Sequence, residues 1–536
     1  MKKLLYLILV LTLPAALRAA EPPAKPNIIL ILADDLGWRD LGCMGSTFYE
    51  TPRIDELAKQ GALFRSAYTA SPVCSPTRGS ILTGKYPSRI NLSNISGSRG
   101  STGPGYKLNA PSCVGNMPDG DVTLAEALKE AGYATAHMGK WHLAAHDDQE
   151  RKTYPQGNGF DINIAGGEAG QPGSYYFPYQ DKQHPGFNVP GLEDGKPGDY
   201  VTDALTDHAV RFIEQNAGKP FFLNLWHFAV HTPIQPRKDK VPKYEKKAKA
   251  LGLDKTSMAA QPELQSFSHT HQDNPAYAAL LDSLDESVGR ILDTLKRLKL
   301  EENTIVVFFS DNGGLSTGPG AKSPTSVRPL RAGKAWLYEG GIRVPLIIRY
   351  PGAVKSGRTV EAPVVSTDLY PTLLDLAGLP LRPQQHVDGV SLKPLLTGEK
   401  DALDREAIYF HYPHYHHINT MGPSGAVRAG DYKLVEPYET GKVELYNLRD
   451  DIGETRDLAA EKPELAARLA KMLDDWRKSS GAKMTEANPA YKAENDYRST
   501  AKEAAPKKGA AKKPATNNKA KQSDNKSKKS AETEGQ

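Results

Sequence analysis

The chain has 536 residues, 39% of them hydrophobic and 24% charged. That fits one large globular unit with a smaller one attached and excludes collagen-like and wholly disordered classes. The formal charge of +5 is uneven: residues 501–536 hold ten lysines against four acidic residues, which leaves about −1 for the rest and gives no reason to expect nucleic acid as a partner.

Met1-Lys2-Lys3 and the apolar residues 4–13 read as the start of a signal peptide, with small residues at Ala19-Ala20 for cleavage. The mature protein is then periplasmic or secreted. The run is too short for an ordinary membrane span and no second one follows, so no stable membrane insertion is expected. Residues 27–33 form an unbroken apolar run suited to a strand buried on both faces, and it stops at Asp34-Asp35. A helix is expected over 52–61 behind Thr51. The loop Ala70-Ser71-Pro72-Val73 leads into Cys74-Ser75-Pro76-Thr77-Arg78. Pro76 suits the first turn of a helix, so Cys74 is placed just before a helix N-terminus and Arg78 one turn further on. Free N–H groups and a guanidinium there suit a tetrahedral oxyanion; an incidental buried cysteine fits the local pattern equally well.

A helix over 123–131 precedes a short strand at 134–138, which ends in Gly139-Lys140-Trp141-His142. Continued strand alternation would put Lys140 and His142 on one face. Residues 147–198 are rich in Tyr, Gly and Pro and either line a pocket or form a surface excursion. A helix over 200–216 and a strand over 220–228 lead to His231-Thr232-Pro233. A helix over 274–298 and a strand over 304–309 lead to Asp311-Asn312-Gly313-Gly314, and Lys334 falls in the stretch 331–345. Another helix runs from Thr367 to about Gly378. Strands alternating with helices predict an α/β fold with a largely parallel sheet, and each polar cluster named sits at a strand's carboxyl end, where such sheets bind ligands.

After Gly398 the texture changes. Short alternating strands near 407–410, 425–428, 432–435 and 443–447 and a helix over 464–478 predict a small α+β domain with an antiparallel sheet. The run Tyr409 to His417 is aromatic and histidine-rich, either facing the site or forming a solvated patch. From about Lys492 the composition predicts disorder. The expected organisation is a signal peptide at 1–20, a catalytic domain at 21–398, an α+β subdomain at 399–491 and a lysine-rich tail at 492–536. Only Cys43, Cys74 and Cys113 are present, too few for a disulfide scaffold; a Cys43–Cys113 bridge and two free thiols are both open.

Asp34, Asp35, Asp311 and Asn312 are hard oxygen donors that suit Ca²⁺ or Mg²⁺ better than zinc, though each pair alone also fits a turn or cap. Cys74-x-Pro76-x-Arg78 resembles the signature of the type I sulfatases. Gly139-Lys140-Trp141-His142 and Lys334-x5-Gly340-Gly341-x-Arg343-x-Pro345 resemble further motifs of that family, in the family's order, across roughly 27–458. Thr77 is a mild departure at a tolerant position. The resemblance implies an alkaline-phosphatase-like fold. It implies that Cys74 is oxidised to 3-oxoalanine (Cα-formylglycine), whose hydrate is the nucleophile, by a formylglycine-generating or anaerobic sulfatase-maturating enzyme. One divalent cation, Ca²⁺ or Mg²⁺, is implied on Asp34, Asp35, Asp311, Asn312 and the converted Cys74. Arg78, Lys140 and Lys334 are expected to neutralise sulfuryl oxygens, with His231 the acid for the leaving oxygen and His142 the base, two roles that can be exchanged. The expected substrate is a sulfated carbohydrate, such as sulfated galactose or N-acetylgalactosamine. Phosphonate monoester or phosphodiester hydrolysis and an inactive glycan-binding homologue are the alternatives.

Overall fold

The computed structural model describes residues 25–97, 101–255, 259–321 and 323–499. The expected signal peptide and most of the lysine-rich tail lie outside the described residues.

Nine strands form the main sheet: β1 (Asn27–Ala33), β2 (Ala62–Tyr68), β3 (Ala134–Gly139), β4 (Ile162–Ile164), β5 (Phe221–Trp226), β6 (Thr304–Ser310), β7 (Arg343–Arg349), β8 (Arg358–Val360) and β9 (Val364–Val365). The order is β8-β2-β7-β6-β1-β5-β3-β4, with β9 also on β2. Only β7 runs antiparallel to its neighbours β2 and β6. The central strand β1 shows why its run is unbroken: Ile29, Ile31 and Ala33 enter one apolar layer and Ile28, Leu30 and Leu32 the other. The first layer is closed by helices α1 (Pro52–Gln60), α4 (Val201–Gln215) and α5 (Pro275–Arg297). The second is closed by α2 (Cys74–Thr83), α3 (Leu124–Glu130) and α6 (Leu369–Leu376). Local signals set the helix starts: Asn274 accepts from the N–H groups of Ala276 and Tyr277, and Thr123 and Glu126 form a capping box.

Strands β2 and β7 were not legible. Pro345 lacks the N–H that a sheet interior demands, and the register with β2 shifts between Val344 and Leu346, the kind of irregularity that lets a strand keep a proline.

A second sheet, β10 (Ile408–Tyr412), β11 (Ser424–Ala429), β12 (Tyr432–Pro437) and β13 (Glu444–Asn447), is a four-stranded antiparallel meander packed on α7 (Pro463–Ser479). A third apolar cluster joins the two parts through Tyr68, Val73, Trp336, Phe410, Leu434 and Trp476. The described chain continues past Lys492, where composition predicts order to end. Tyr106 lies 4.8 Å from Tyr415 and 5.4 Å from Tyr497, ring centre to ring centre, and Arg498 pairs with Glu439 at 2.5 Å. Cys43 and Cys113 are both free thiols, so no bridge joins them. Among the described residues, no helix is long and apolar enough to cross a membrane.

Candidate active site

Six loops or helix ends at the carboxyl edge of the main sheet meet around Cys74. Cys74 is the first residue of α2, one place further into the helix than expected, and Pro76 falls in its first turn. Every residue of α2 is buried. Its thiol lies 3.8 Å from Asp34 Oδ1, and burial pushes the thiol pKa up to about 12.

Beneath the thiol lies a floor of charge closed to solvent. Asp34, Arg78, Lys140, Asp311 and Asn312 are each 0% exposed. Arg78 forks onto one Asp311 oxygen at 2.9 and 2.7 Å and donates to the Lys140 carbonyl at 2.7 Å. Its guanidinium carbon sits 5.1 Å from the Trp226 ring centre. Lys140 Nζ donates to Asp34 Oδ2 at 2.7 Å. Lys334 Nζ donates to Asp35, 2.7 Å from Oδ1, and lies 3.0 Å from His231 Nε2. Three carboxylates thus face three cationic side chains. Burial and the neighbouring Asp311 raise the Asp34 carboxyl to about 8. Burial also opposes ionisation of Asp35 and Asp311, but Lys334 and Arg78 respectively hold these two below the ordinary carboxylate range.

The donor set fits a hard divalent cation. Asn312 Nδ2 is spent on Asp35 Oδ1 at 2.7 Å, while its Oδ1 is buried with no hydrogen-bond partner. Potential ligand atoms of Asp34, Asp35, Cys74 and His231 lie within 4.8 Å of one another. An orphaned amide oxygen beside three carboxylates is the oxygen-rich environment that Ca²⁺ and Mg²⁺ take.

Above the floor is a cavity of about 410 Å³, lined among others by Asp35, Cys74, His142, His231 and Lys334. Lys140 and His142 both reach the site, but not by strand alternation. β3 ends at Gly139, and His142 has φ 57°, so a left-handed turn delivers its ring. Gly170 permits this: a Cβ there would stand 2.6 Å from the His142 ring. His142 Nδ1 is buried without a hydrogen-bond partner, and burial with Lys140 nearby holds the ring's pKa well below its ordinary value. His231 Nδ1 faces the Thr232 carbonyl at 2.8 Å, which makes Nδ1 the protonated nitrogen and leaves Nε2 to accept from Lys334. Burial, with Lys334 adding to it, lowers the His231 pKa to about 3. The Tyr175 hydroxyl braces this loop by donating to the Phe228 and His231 carbonyls. Lys334 depends on Gly340 and Gly341, where a Cβ would meet the Arg331 carbonyl at 2.4 Å and the Trp336 carbonyl at 2.0 Å.

The insertion does line the cavity, through Glu168, Gly170, Gln171, Gly186 and Phe187. Of the aromatic and histidine-rich run, His416 and His417 reach it with rings 4.4 Å apart, whereas His411 bonds Tyr438 and His414 bonds Ser93. Ser96 and Leu315 carried no sequence signal; ordinary loop residues become wall only once the loops are placed.

Residues 26–379 match the family described as Sulfatase, and 332–479 match that described as N-sulphoglucosamine sulphohydrolase, C-terminal. The chain belongs to the sulfatase family. Sulfuric ester hydrolysis is the activity of its named members. It is 34% identical to a "Sulfatase" of Formosa agariphila, over 84% of this chain and 88% of the relative. It is 33% identical to human N-acetylgalactosamine-6-sulfatase, over 73% of this chain and 69% of the relative. The solved structure of Ps i-CgsB with k-i-k-neocarrahexaose superposes with a TM-score of 0.68 at 29% identity, covering 87% of this chain and 95% of that one. The main sheet is the alkaline-phosphatase-like sheet of such sulfatases.

Proposed function

We propose that this sulfatase is exported and hydrolyses sulfate monoesters on a carbohydrate, using Cys74 in its 3-oxoalanine form. The observation that carries this reading is the meeting of Cys74, Lys334, His231 and His142 in one cavity over a buried floor of carboxylates and cationic side chains. A divalent cation, Ca²⁺ by the chemistry of the donors, would be held by Asp34, Asp35, Asp311, Asn312 and residue 74; it would tip that floor positive and polarise oxygen atoms of the site. The hydrated aldehyde would supply the nucleophilic oxygen and a second hydroxyl through which sulfate is expelled.

The remaining steps fall to the chain's own side chains. Arg78 and Lys140 hold the carboxylates of the floor and offset the charge of the sulfuryl group. Lys334 carries a proton between Asp35 and His231 Nε2, so the Lys334–His231 pair delivers a proton to the leaving oxygen. His142, with an uncommitted ring nitrogen in the cavity, takes the proton when sulfate departs. The proton of the acid pair starts on Lys334, which, despite burial, the Asp35 carboxylate holds above the ordinary lysine range, because His231 Nε2 is the accepting nitrogen.

Ser96, Glu168, Gln171, His416 and His417 offer the wall hydrogen-bonding groups for sugar hydroxyls, and Ile95, Phe187, Leu315 and Ile418 offer apolar surface for the faces of a sugar ring. Relatives named for N-acetylgalactosamine 6-sulfate and a structure bound to a neocarrahexaose point the same way, while steryl-sulfatase is also among the relatives. The test is sulfate release from position-defined sulfated monosaccharides, beside a phosphodiester and a steryl sulfate, on protein whose residue 74 has been examined by mass spectrometry. Turnover of a sugar sulfate with residue 74 converted is expected. A preference for the phosphodiester, or full activity with an intact Cys74 thiol, would sink the reading.

A further inference from the structure

The insertion that supplies Glu168 also builds a second cavity, of about 510 Å³, beside the first. Glu168 and Gly186 line both, so the two cavities share a wall. Each volume lies within the roughly 300–1,000 Å³ of ligand sites. Glu168 stands fixed between them: one carboxylate oxygen accepts from the Tyr154 hydroxyl at 3.0 Å and the other meets His146 Nδ1 at 2.6 Å.

The loop carrying Tyr154 is tied to the active-site motif. The Trp141 indole donates to the Thr153 carbonyl at 2.8 Å, and Thr153 Oγ1 accepts from the Ala145 N–H and donates to Asp148. Asn158 donates to the carbonyls of Lys152 and Tyr154. The second cavity is therefore held at a fixed offset from the residues Lys140-Trp141-His142.

Arg151 lines this second cavity. Its guanidinium carbon lies 5.5 Å from the Tyr154 ring centre, and it has no carboxylate partner among the described residues. A guanidinium near an aromatic ring and unpaired with a carboxylate keeps its N–H donors free, and those donors can grip a planar or tetrahedral oxyanion. Two carboxylates line the cavity with Arg151: Glu168 is bonded as above and keeps acceptor capacity, and Glu193 accepts from the Gly191 N–H at 2.8 Å.

We propose that this second cavity binds the sugar next to the sulfated one, and that Arg151 recognises an anionic group on it, a second sulfate or a uronate carboxylate. The proposal rests on the carbohydrate reading above and narrows it to an acidic oligosaccharide. Glu168, at the shared wall, accepts hydroxyls where the saccharide crosses from one cavity to the other.

Steady-state kinetics of the wild-type protein, Arg151→Ala and Arg151→Lys test it on five substrates: 4-nitrophenyl sulfate, a sulfated monosaccharide, and three disaccharides of that sugar whose neighbour is neutral, sulfated or a uronate. Loss of the charge-assisted contact is expected to raise KM about tenfold in Arg151→Ala for one anionic disaccharide, with kcat within about twofold. Lysine should restore part of it, and the aryl sulfate and monosaccharide should be unaffected. Which disaccharide responds separates sulfate from carboxylate. Identical kinetics of the variants on every substrate, or an equal loss on all five, overturns the subsite while leaving carbohydrate turnover standing. Turnover of 4-nitrophenyl sulfate but of no sulfated sugar overturns the carbohydrate reading and the subsite with it.

Discussion

An alanine at Gly170 would press its Cβ to 2.6 Å from the His142 ring, so the ring must turn or the insertion must retreat. Gly170→Ala is expected to lower kcat about 100-fold through that misplacement, with little change in melting temperature because no core contact is lost. On the proposed mechanism Lys334→Ala should cost more, about 10²–10³-fold in kcat, since it would remove both a positive charge beside residue 74 and the hydrogen-bond donor to His231. Asn312→Ala deletes the orphaned oxygen of the floor, and calcium titration calorimetry should show weaker binding. Unchanged calcium affinity would remove Asn312 from the cation site. At this scale the sequence was informative where a side chain's chemistry is unusual for its position. Asp34-Asp35 and Asp311-Asn312 interrupt apolar strands, and Cys74 precedes a helix-starting proline. It was uninformative for Glu168 and Gln171, whose residue types are ordinary in loops and whose importance comes from where a long insertion folds back.

Among the elements, the stretch from Arg331 to Arg343 shows how a loop is held as firmly as a strand. Glu339 accepts from the Tyr68 hydroxyl at 2.6 Å, Arg343 at 3.2 Å and Lys433 at 2.9 Å; Lys433 also donates to Glu454 at 2.8 Å. Lys433, Glu339 and Glu454 are all buried, so removing one member leaves an uncompensated charge. Lys433→Ala is expected to destabilise the protein by about 3–5 kcal/mol, read as a lowered denaturation midpoint. An unchanged denaturation midpoint would show that this buried charge network adds nothing to stability. Such networks leave no periodic trace, because their members come from β2, the helical turn Glu339–Ile342, β7, β12 and the loop carrying Glu454. The strands that carry apolar layers on both sides were legible for the opposite reason: a run such as residues 27–33 has only one way to be satisfied. Lys140 and His142 show the limit of that logic, since alternation stops at Gly139 and a left-handed residue places the histidine.

For the whole molecule, the boundary between ordered chain and tail is an experimental question with a sharp answer. Residues 492–499 return to Tyr106, Tyr415 and Glu439, whereas 501–536 are almost free of large apolar side chains. Truncation after Ser499 should leave the melting temperature unchanged, and truncation after Tyr491 should lower it by about one to two degrees, because losing the Tyr497 contacts costs about 1–2 kcal/mol in a chain of this size. Equal melting temperatures for the two truncations would mean that the Tyr497 contacts add nothing. Composition missed this return because two aromatic or cationic residues in a polar stretch do not register as a pattern. One earlier observation also sets an order of events. The Cys74 side chain is 2% exposed in a helix with no exposed residue, beneath loops from both sheets. On the proposed reading, another protein that oxidises Cys74 must therefore reach it while the chain is still open, and folding shuts the door behind it. Protein that folds with the thiol intact is locked in that form. Adding a maturating enzyme to it afterwards should convert nothing until the fold is undone.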